Sequence, residues 1–403
     1  MLMEFTFENF KCYRNEATLN MCAASLSEHA HSLIFGNGSD KILPVAAIYG
    51  PNGGGKSSVL QAFECLSRTV VYPFILMRLK GGKLHPMDAK PYLYDSDSTS
   101  APTSFRVLFQ VGRYTYRYIL AVYHGNVVEE YLHRRTSGKG ATAMLFERKA
   151  GTIKLGASLN RKKVSTEIGE MMPYISYLAI NHDFDAIKDA FGWFIKGMLL
   201  DYSYASQENY FVEISDSNDK RRVIELLNNM GIDIVDFRFE YGAGDKLEGI
   251  YLKHCSDKSC EIELDEESNG TKKLLGLVPQ ILRALDEGTV LIADELDAKL
   301  HPKLLRYIIK LFTSPETNKS GAQLIFTSHD ISTLNSQVFR RDEIWFAAKG
   351  ENGPSKLYSL ADIADIDGKR IRPQNSYDKQ YLEGRYGADP YLNSMLAWDG
   401  GNE

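Results

Sequence analysis

Residues 43–61 read LPVAAIYGPNGGGKSSVLQ, and this stretch decides the fold of the chain. Its apolar part, 45–49, predicts a strand that is buried on both faces. Residues 50–57 then match the phosphate-binding pattern G-x-x-x-x-G-K-[ST] at every fixed position. Apolar residues recur after it at helical spacing: Val59, Leu60, Phe63 and Leu66. The motif therefore lies between a strand and a helix, which is the context that it needs.

The residue types of this loop fit the chemistry of a bound triphosphate. Glycines let the backbone turn its N–H groups towards a phosphate, and the following helix presents its positive N-terminal end to the same anion. We expect Lys56 to reach the β- and γ-phosphates and the Ser57 hydroxyl to coordinate Mg²⁺. The rest of the predicted ATP site is formed by Asn52, Gly53, Gly54, Gly55 and Ser58. The alternative is a glycine-rich turn that binds no ligand.

Composition indicates a soluble globular protein. With 403 residues, the chain can form one elaborated domain or two, and its 25% of charged residues is ordinary. We find no apolar run of the ~18 residues that a membrane span needs, and no signal peptide. Five scattered cysteines favour a reduced, cytoplasmic protein. Cys255 and Cys260, beside His254, fit no zinc spacing and are interpreted as surface thiols.

The net charge of −5 argues against a protein that coats nucleic acid. Short basic clusters nevertheless occur at 133–135, 161–163, 220–222 and 340–341. The default interpretation of each cluster is a solvated face, which leaves direct DNA contact open.

The remaining pattern predicts a mixed α/β chain. Strands are predicted at 3–10, 105–111, 114–122, 127–135, 143–148, 174–180, 234–241 and 249–253, helices at 187–199 and 221–230, and a loop from about 72 to 101. We divide the chain into four segments: 1–175 and 265–350 as the two parts of a nucleotide-binding head, 176–264 as an inserted lid region, and 351–403 as a tail that packs on the head.

Two more buried strands in the second half end in polar residues. The strand 289–293 is followed by Asp294, which would hold Mg²⁺ through water, and by Glu295, which can polarise the attacking water. The strand 323–327 follows the strand 289–293 after one helical crossover, at 304–312, and ends just before His329. This location would place His329 near the γ-phosphate. Ser268 and Gly270 begin a helix that would form a second anion-binding end. The alternative for Ser268 is an ordinary helix N-cap.

The order of these motifs resembles that of ABC-type ATPase heads. GPNGGGKS, ESNGT, LIADELDAKLHP and FTSHD correspond to the Walker A, signature, Walker B with D-loop, and switch-histidine motifs. Residues 8–13 resemble the N-terminal strand of SMC- and RecF-like ATPases. ESNGT differs from the transporter signature LSGGQ and is similar to the form in stand-alone prokaryotic ATPases. The stretches 102–105, 114–116, 341–346 and 381–388 also resemble that group.

The resemblance implies an α/β P-loop NTPase, an ABC-ATPase head with a mainly parallel core sheet, an antiparallel β lobe and an inserted α/β lid. These relatives are the ATPases of abortive-infection and anti-phage systems, and are also similar to the ATPase half of OLD-family nucleases. The implied function is an ATP-hydrolysing sensor that controls an effector, often an RloB- or Toprim-type nuclease, in response to a phage protein or DNA. Asp365 and Asp367 match a Toprim Asp-x-Asp, but too few residues follow to complete that domain. We interpret them as an acidic turn, so that nuclease activity would come from a partner.

The resemblance also implies a homodimer or higher oligomer. ATP would lie between the phosphate loop of one subunit and Ser268 and Gly270 of the other, with residues 300–301 facing across the dimer. Asn181 or His182 occupies the position of the Q-loop residue, which makes Asn181 a candidate Mg²⁺ ligand.

Three other functions compete with this prediction. A RecF/SMC-like DNA-repair ATPase would act directly on DNA. A transporter ATPase would need a membrane permease and the usual signature. A small-molecule kinase would leave the Ser-Asn-Gly-Thr element without a role.

Overall fold

The computed structural model describes residues 1–36, 40–78, 84, 89–138, 140–159, 164–201, 217–242, 244, 247–254, 261–350, 353–364, 371–372 and 374–388. The cluster 161–163, the thiols Cys255 and Cys260, and the acidic turn at Asp365 and Asp367 lie outside these residues.

Eighteen strands are numbered in chain order within the described part of the chain. They are β1 Leu2–Glu8, β2 Ala17–Asn20, β3 Ile34–Phe35, β4 Lys41–Ile42, β5 Val45–Tyr49, β6 Thr103–Val111, β7 Tyr114–Tyr123, β8 Asn126–Thr136, β9 Ala143–Lys149, β10 Thr152–Leu155, β11 Met198–Asp201, β12 Ile234–Tyr241, β13 Leu247–His254, β14 Glu261–Glu263, β15 Val290–Ala293, β16 Gln323–Thr327, β17 Ile344–Lys349 and β18 Ser355–Ser359.

The helices of the same residues are numbered in the same way. They are α1 Lys56–Arg78, α2 Ser96–Thr99, α3 Tyr174–Asn181, α4 Asp185–Lys196, α5 Ser217–Asn229, α6 Asn269–Glu287, α7 Pro302–Thr313 and α8 Tyr377–Leu382.

The central sheet has the order β11-β15-β16-β5-β17-β18, and all of its strands except β18 are parallel. Every residue of β5, β15 and β16 is buried, as expected for parallel strands covered on both faces. The predicted parallel core sheet is therefore confirmed. In this order β16 lies between β5 and β15, a placement that determines the geometry of the site.

The second large sheet is antiparallel, with the order β10-β9-β8-β7-β6-β1-β2. It contains the predicted hairpin around Gly112, where β6 ends and β7 begins. This sheet forms the predicted antiparallel β lobe.

One hydrophobic core lies between the two large sheets. It combines one face of the central sheet, the helices α1, α3 and α4, and the inner face of the antiparallel sheet. Phe63 of α1 stacks on Phe5 of β1 with 3.7 Å between ring centroids. Burying an aromatic ring of this kind contributes about 2 kcal/mol, so this contact fixes the helix that carries Lys56.

A second core covers the opposite face of the central sheet. There, Val45, Ala47 and Tyr49 of β5 pack with α6, α7, α5 and the small sheet β12-β13-β14. The end of the chain joins this core, where Tyr381 of α8 stacks on Phe346 of β17 with centroids 5.7 Å apart.

The strand predicted at 174–180 is wrong, because these residues form helix α3. The reason lies 44 residues earlier in the chain. The Glu130 carboxylate accepts hydrogen bonds from the backbone nitrogens of Tyr174 and Ile175, at 2.5 and 2.9 Å, and so satisfies N–H groups of the first helical turn. An apolar run of this length fits a buried helix as well as a strand.

Two other predicted boundaries also need correction. The loop predicted from residue 72 begins later, because α1 continues through Pro73 to Arg78. The helix predicted at 187–199 ends at Lys196, and its last residues pair with β15 as strand β11.

Among the described residues, one helix, Lys56–Met77, has the length and apolar composition of a membrane span. Half of its apolar window is buried inside the protein, and Val59, Leu60 and Phe63 belong to the first core. We therefore interpret α1 as a core helix. The four-segment division of the chain stays a prediction; α4 of the segment 176–264 packs in the first core, whereas α5 packs in the second.

Candidate nucleotide-binding site

The phosphate loop joins the end of β5 to the start of α1. A Cβ atom on Gly50 would lie 2.1 Å from the carbonyl oxygen of Ala347 in the neighbouring strand β17, so no other residue fits there. Gly55 has φ 107°, and a Cβ atom on it would lie 2.9 Å from the Tyr13 ring. Around Gly53, by contrast, the space is open. The loop is thus packed tightly on its protein side and leaves room on its outer side.

Lys56 is the first residue of α1, and its side chain folds over this loop. It is 6% exposed, and its ammonium donates hydrogen bonds to the carbonyl oxygens of Gly50 at 2.9 Å and Pro51 at 3.2 Å. Burial lowers the pKa of Lys56, and the nearby carboxylates of Asp294, Glu295 and Asp297 act in the opposite direction. A buried cation thus faces three acids across the site.

The N-terminal segment covers the loop from the other side. The Cys12 thiol donates a hydrogen bond to the Ser58 hydroxyl at 3.3 Å, and the Tyr13 hydroxyl donates to the Gly55 carbonyl oxygen at 3.4 Å. Ser57, the predicted Mg²⁺ ligand, is half-buried in the first turn of α1. Asn52 and Gly53 are exposed at the tip of the loop.

The carboxyl ends of β5, β16 and β15 meet at one edge of the central sheet. The register pairs Ile48 with Thr327 and Ala293 with Phe326, so the residues after each strand are neighbours. The structure brings Lys56, Asp294 and Glu295 together in this way. Their roles in catalysis and metal binding stay predictions.

Thr327 connects the two acids and was missed by the sequence analysis. Its buried hydroxyl donates to the Asp294 carboxylate at 2.5 Å and accepts from the Glu295 backbone nitrogen at 2.7 Å. The only sequence signal was a threonine at the end of a buried strand, which has many ordinary explanations. Thr327 can form both hydrogen bonds only because β16 lies next to β15 in the sheet.

Glu295 has a strained backbone, with φ 47° in the left-handed region. Its carbonyl oxygen accepts a hydrogen bond from the Lys273 ammonium of α6 at 2.7 Å. The strand end therefore turns sharply at the residue that would polarise water.

His329 is exposed, and its backbone nitrogen donates to the Asp297 carboxylate at 3.1 Å. The other oxygen of Asp297, Oδ1, is buried and has no hydrogen-bond partner among the described residues. A buried carboxylate oxygen without a partner is costly, so this site has unused capacity for a cationic or hydrogen-donating group.

Ser268 is the N-cap of α6, and its hydroxyl accepts a hydrogen bond from the Thr271 backbone nitrogen at 3.1 Å. The N-cap alternative therefore describes its contacts within one chain. Ser268 is also exposed, and a Cβ atom on Gly270 would lie 3.1 Å from the Lys299 carbonyl oxygen in the segment after Glu295. The signature element thus borders the segment that follows the two acids, while its contact with a second subunit stays a prediction.

Asn181 ends helix α3 instead of following a strand, contrary to the prediction. It is exposed, and its side-chain amide donates to the Tyr177 carbonyl oxygen of the same helix at 2.9 Å. Its role as a Mg²⁺ ligand stays a prediction. His301, in the predicted D-loop, is the N-cap of α7 and accepts from the Lys303 backbone nitrogen at 3.2 Å.

These residues fit Mg²⁺ and ATP. The loop has an open outer side at Gly53 and a buried ammonium, and it leads into a helix N-terminus, which favours anions. The described residues contain no cluster of three or more His, Cys, Asp or Glu that could hold a metal alone. Mg²⁺ usually binds through one or two protein oxygens, water and substrate phosphates, and Ser57 and Asp294 would provide that contribution. Fold and site together are those of a P-loop nucleotide-binding protein.

The sequence profile of the family described as "AAA domain, putative AbiEii toxin, Type IV TA system" matches residues 170–335, less than half of the chain. No curated protein matches the chain.

Solved structures with a similar arrangement include SMC heads. An SMC head bound to the C-winged helix domain of ScpA has 15% identity and a TM-score of 0.42, with 89% of this chain and 97% of that chain covered. The SMC head domain from Thermotoga maritima has 13% identity and a TM-score of 0.39, with 89% and 98% covered. The Smc head with an extended coiled coil, bound to the C-terminal domain of ScpA derived from Pyrococcus furiosus, has 12% identity and a TM-score of 0.40, with 89% and 96% covered.

Proposed function

We propose that this chain is a cytoplasmic, Mg²⁺-dependent ATPase that hydrolyses ATP to ADP and phosphate and closes as a homodimer around the nucleotide. In this proposal it is the sensor and regulatory subunit of an anti-phage, abortive-infection system. Its nucleotide state controls a separately encoded effector, for which a nuclease is the proposed class.

One observation carries the ATPase part of the proposal. The parallel strands β5, β16 and β15 gather a buried Lys56 and the acids Asp294 and Glu295 at a single edge. Lys56 would neutralise charge on the transferred phosphoryl group, and Ser57 and Asp294 would hold the metal. Glu295, positioned by Thr327, would accept a proton from the attacking water, and His329 would contact the γ-phosphate.

The signature element supports the dimeric part of the proposal. Ser268 and Gly270 lie exposed or half-buried at the start of α6 and border the segment after Glu295. A second subunit, related by a two-fold axis, would place its own Ser268 over the open side of the phosphate loop.

The energy of nucleotide binding is sufficient to drive such closure. ATP at ~100-fold its Kd contributes ~2.7 kcal/mol per site if it binds only the closed dimer. Two sites contribute about 5.5 kcal/mol, which is what a two-state equilibrium needs to move from 1:99 to 99:1. Hydrolysis would then reopen the dimer, which suits a switch.

The regulatory role in defence is supported by the family description that residues 170–335 match, which refers to a toxin of a toxin–antitoxin system. The acidic net charge of −5 also favours a protein that acts through a partner over one that coats DNA.

The test is phosphate release by the purified chain with ATP, with and without Mg²⁺, and with and without duplex DNA. We expect Mg²⁺-dependent release whose rate duplex DNA changes by less than about twofold. Strong stimulation by DNA would instead support an SMC- or RecF-like ATPase that acts directly on DNA. Absence of release under all conditions, with the protein folded, would contradict the ATPase itself.

A further inference from the structure

The outer face of the antiparallel sheet carries a concave groove that the nucleotide site does not use. The groove encloses about 490 Å³ and is bordered mainly by basic side chains. They are Arg106, Arg117, His133, Arg134 and Arg135. Three of these residues, His133, Arg134 and Arg135, form the basic cluster 133–135, for which a solvated face was the default interpretation.

The strand register arranges three of these arginines in a diagonal row. Arg106 of β6 pairs with Ile119 of β7, two residues beyond Arg117. Arg135 of β8 pairs with Thr115, two residues before Arg117 in the other direction. Neighbouring strands lie about 4.8 Å apart and two residues advance about 6.8 Å, so the Cα atoms of the row are separated by about 8 Å and span ~17 Å.

Two members of the row have no acidic partner within the described part of the chain. Arg117 and Arg135 are exposed, and neither forms an ion pair with another described residue. Arg106 pairs with Glu16 at 2.7 Å, in a contact where Glu16 is more than half exposed. Such an exposed pair is weak and can be exchanged for a better partner. The row therefore offers guanidinium groups in a line, with spare hydrogen-bond donors.

Acidic residues at the border of the groove limit which anion it accepts. Glu4 borders the cavity, and Glu147 lies 3.5 Å from His133. A DNA duplex carries one negative charge per ≈1.7 Å of helix axis and would bring phosphates against these carboxylates. An extended peptide instead places side chains of one face about 6.8 Å apart, so its carboxylates can meet the arginines and avoid the border. Each guanidinium can bind a carboxylate through two parallel hydrogen bonds.

We propose that this groove binds a short, extended acidic segment of a partner protein, with carboxylates of alternate residues on Arg106, Arg117 and Arg135. Identifying that partner with the effector rests on the proposed function, whereas the binding chemistry itself needs no nucleotide. The antiparallel lobe would thus be the docking side of the molecule, and the edge of the parallel sheet its chemical side.

The test uses fluorescence anisotropy with a labelled peptide of about eight residues, long enough to span the row, that has Glu at alternate positions. Wild type is compared with the double variant Arg117→Glu/Arg135→Glu. The control is Lys154→Glu/Lys319→Glu, which makes the same charge change at two exposed lysines outside the groove. A labelled single-stranded oligonucleotide probes the alternative, a nucleic-acid ligand. A peptide of the same length with Ser in place of each Glu is the negative control.

We expect peptide affinity to fall at least about tenfold in the groove variant and less than about twofold in the control. We also expect Arg117→Lys/Arg135→Lys to bind with intermediate affinity, because lysine keeps the positive charge and cannot form the bidentate hydrogen bonds of arginine. Equal loss in both charge-reversal variants, or no binding of the Glu peptide by wild type, would overturn the proposal. Tighter, groove-dependent binding of the oligonucleotide would overturn it in favour of nucleic acid.

ATP hydrolysis measured on the same samples separates this proposal from the previous one. The groove variant should hydrolyse ATP at the wild-type rate in the absence of peptide, because none of the groove residues belongs to the phosphate site. A wild-type chain that binds the peptide and releases no phosphate would contradict the proposed function alone.

Discussion

The parallel and the antiparallel sheet of this chain present their residues to the surroundings in different ways. In the parallel sheet, β5, β16 and β15 all end at one edge, so residues from distant parts of the sequence meet there. In the antiparallel sheet, successive residues alternate between the core and the outer face, so a row such as Arg106, Arg117 and Arg135 forms across strands. The parallel sheet therefore forms a site at its edge, whereas the antiparallel sheet forms a surface on its face.

The largest expected effect comes from the edge of the parallel sheet. Lys56→Ala should abolish ATP hydrolysis, because it removes the buried ammonium that faces the three acids. Phosphate release under saturating Mg²⁺ and ATP measures this, with Lys319→Ala, an exposed lysine away from the site, as the matched control. Hydrolysis by Lys56→Ala at more than about a tenth of the wild-type rate would contradict the role of Lys56.

The next effect tests whether β16 positions the acids of β15. Thr327→Val should lower kcat by about 10–100-fold, because it removes the hydroxyl that holds both Asp294 and the Glu295 backbone. Thr327→Ser restores the hydroxyl and should recover most of the activity at similar KM. If Thr327→Ser were as slow as Thr327→Val, packing of the methyl group and not the hydrogen bonds would be responsible.

A smaller effect, on stability only, is expected inside the antiparallel sheet. Glu130→Ala should lower the free energy of unfolding by about 3 kcal/mol, because it leaves the Tyr118 hydroxyl and two backbone nitrogens of α3 without their acceptor. Urea unfolding measures the change. Glu129, the adjacent and half-buried residue in β8, pairs with Lys149 and provides the control Glu129→Ala, for which we expect less than about 1 kcal/mol. Equal costs would show that Glu130 does not hold α3.

The smallest effect concerns the opposite end of the parallel sheet, just before β17. Burial raises the pKa of Glu343 to about 8, so the folded state keeps its proton at pH values where the unfolded chain has lost it. The stabilisation from this group is therefore complete below about pH 4.5 and decreases as the pH rises to about 8. Glu343→Gln should flatten this pH dependence, by ~2–3 kcal/mol between pH 5 and pH 8 in urea unfolding. An unchanged slope would show that Glu343 does not titrate in this range.

Local sequence was sufficient for much of this fold. The apolar runs of β5, β15 and β16 and the glycine pattern of the phosphate loop act within a few residues, and the structure has them as predicted. Helix α3 was predicted as a strand, because the carboxylate that caps it comes from Glu130, far away in the sequence. Local pattern could not contain that information.

The residues of the site and of the groove also fall into those that local sequence predicted and those that it did not. Lys56, Asp294 and Glu295 were predicted because their motifs are continuous in sequence. Thr327 and the diagonal arginine row were not, because each depends on which strands are neighbours and in which register. Contacts between strands that are distant in sequence are determined by the sheet order, and the local pattern of a single sequence does not reveal that order.

Whether ATP closes two chains into a dimer can be read from the molar mass of Glu295→Gln in light scattering, with and without Mg²⁺ and ATP. We expect this variant to bind ATP, to release phosphate at least about 100-fold more slowly than wild type, and to double its mass when ATP is added. The additional substitution Ser268→Arg, at the exposed start of α6, should prevent that doubling. Normal turnover by Glu295→Gln would remove Glu295 from catalysis, and a constant mass with saturating ATP would show that ATP does not close a dimer.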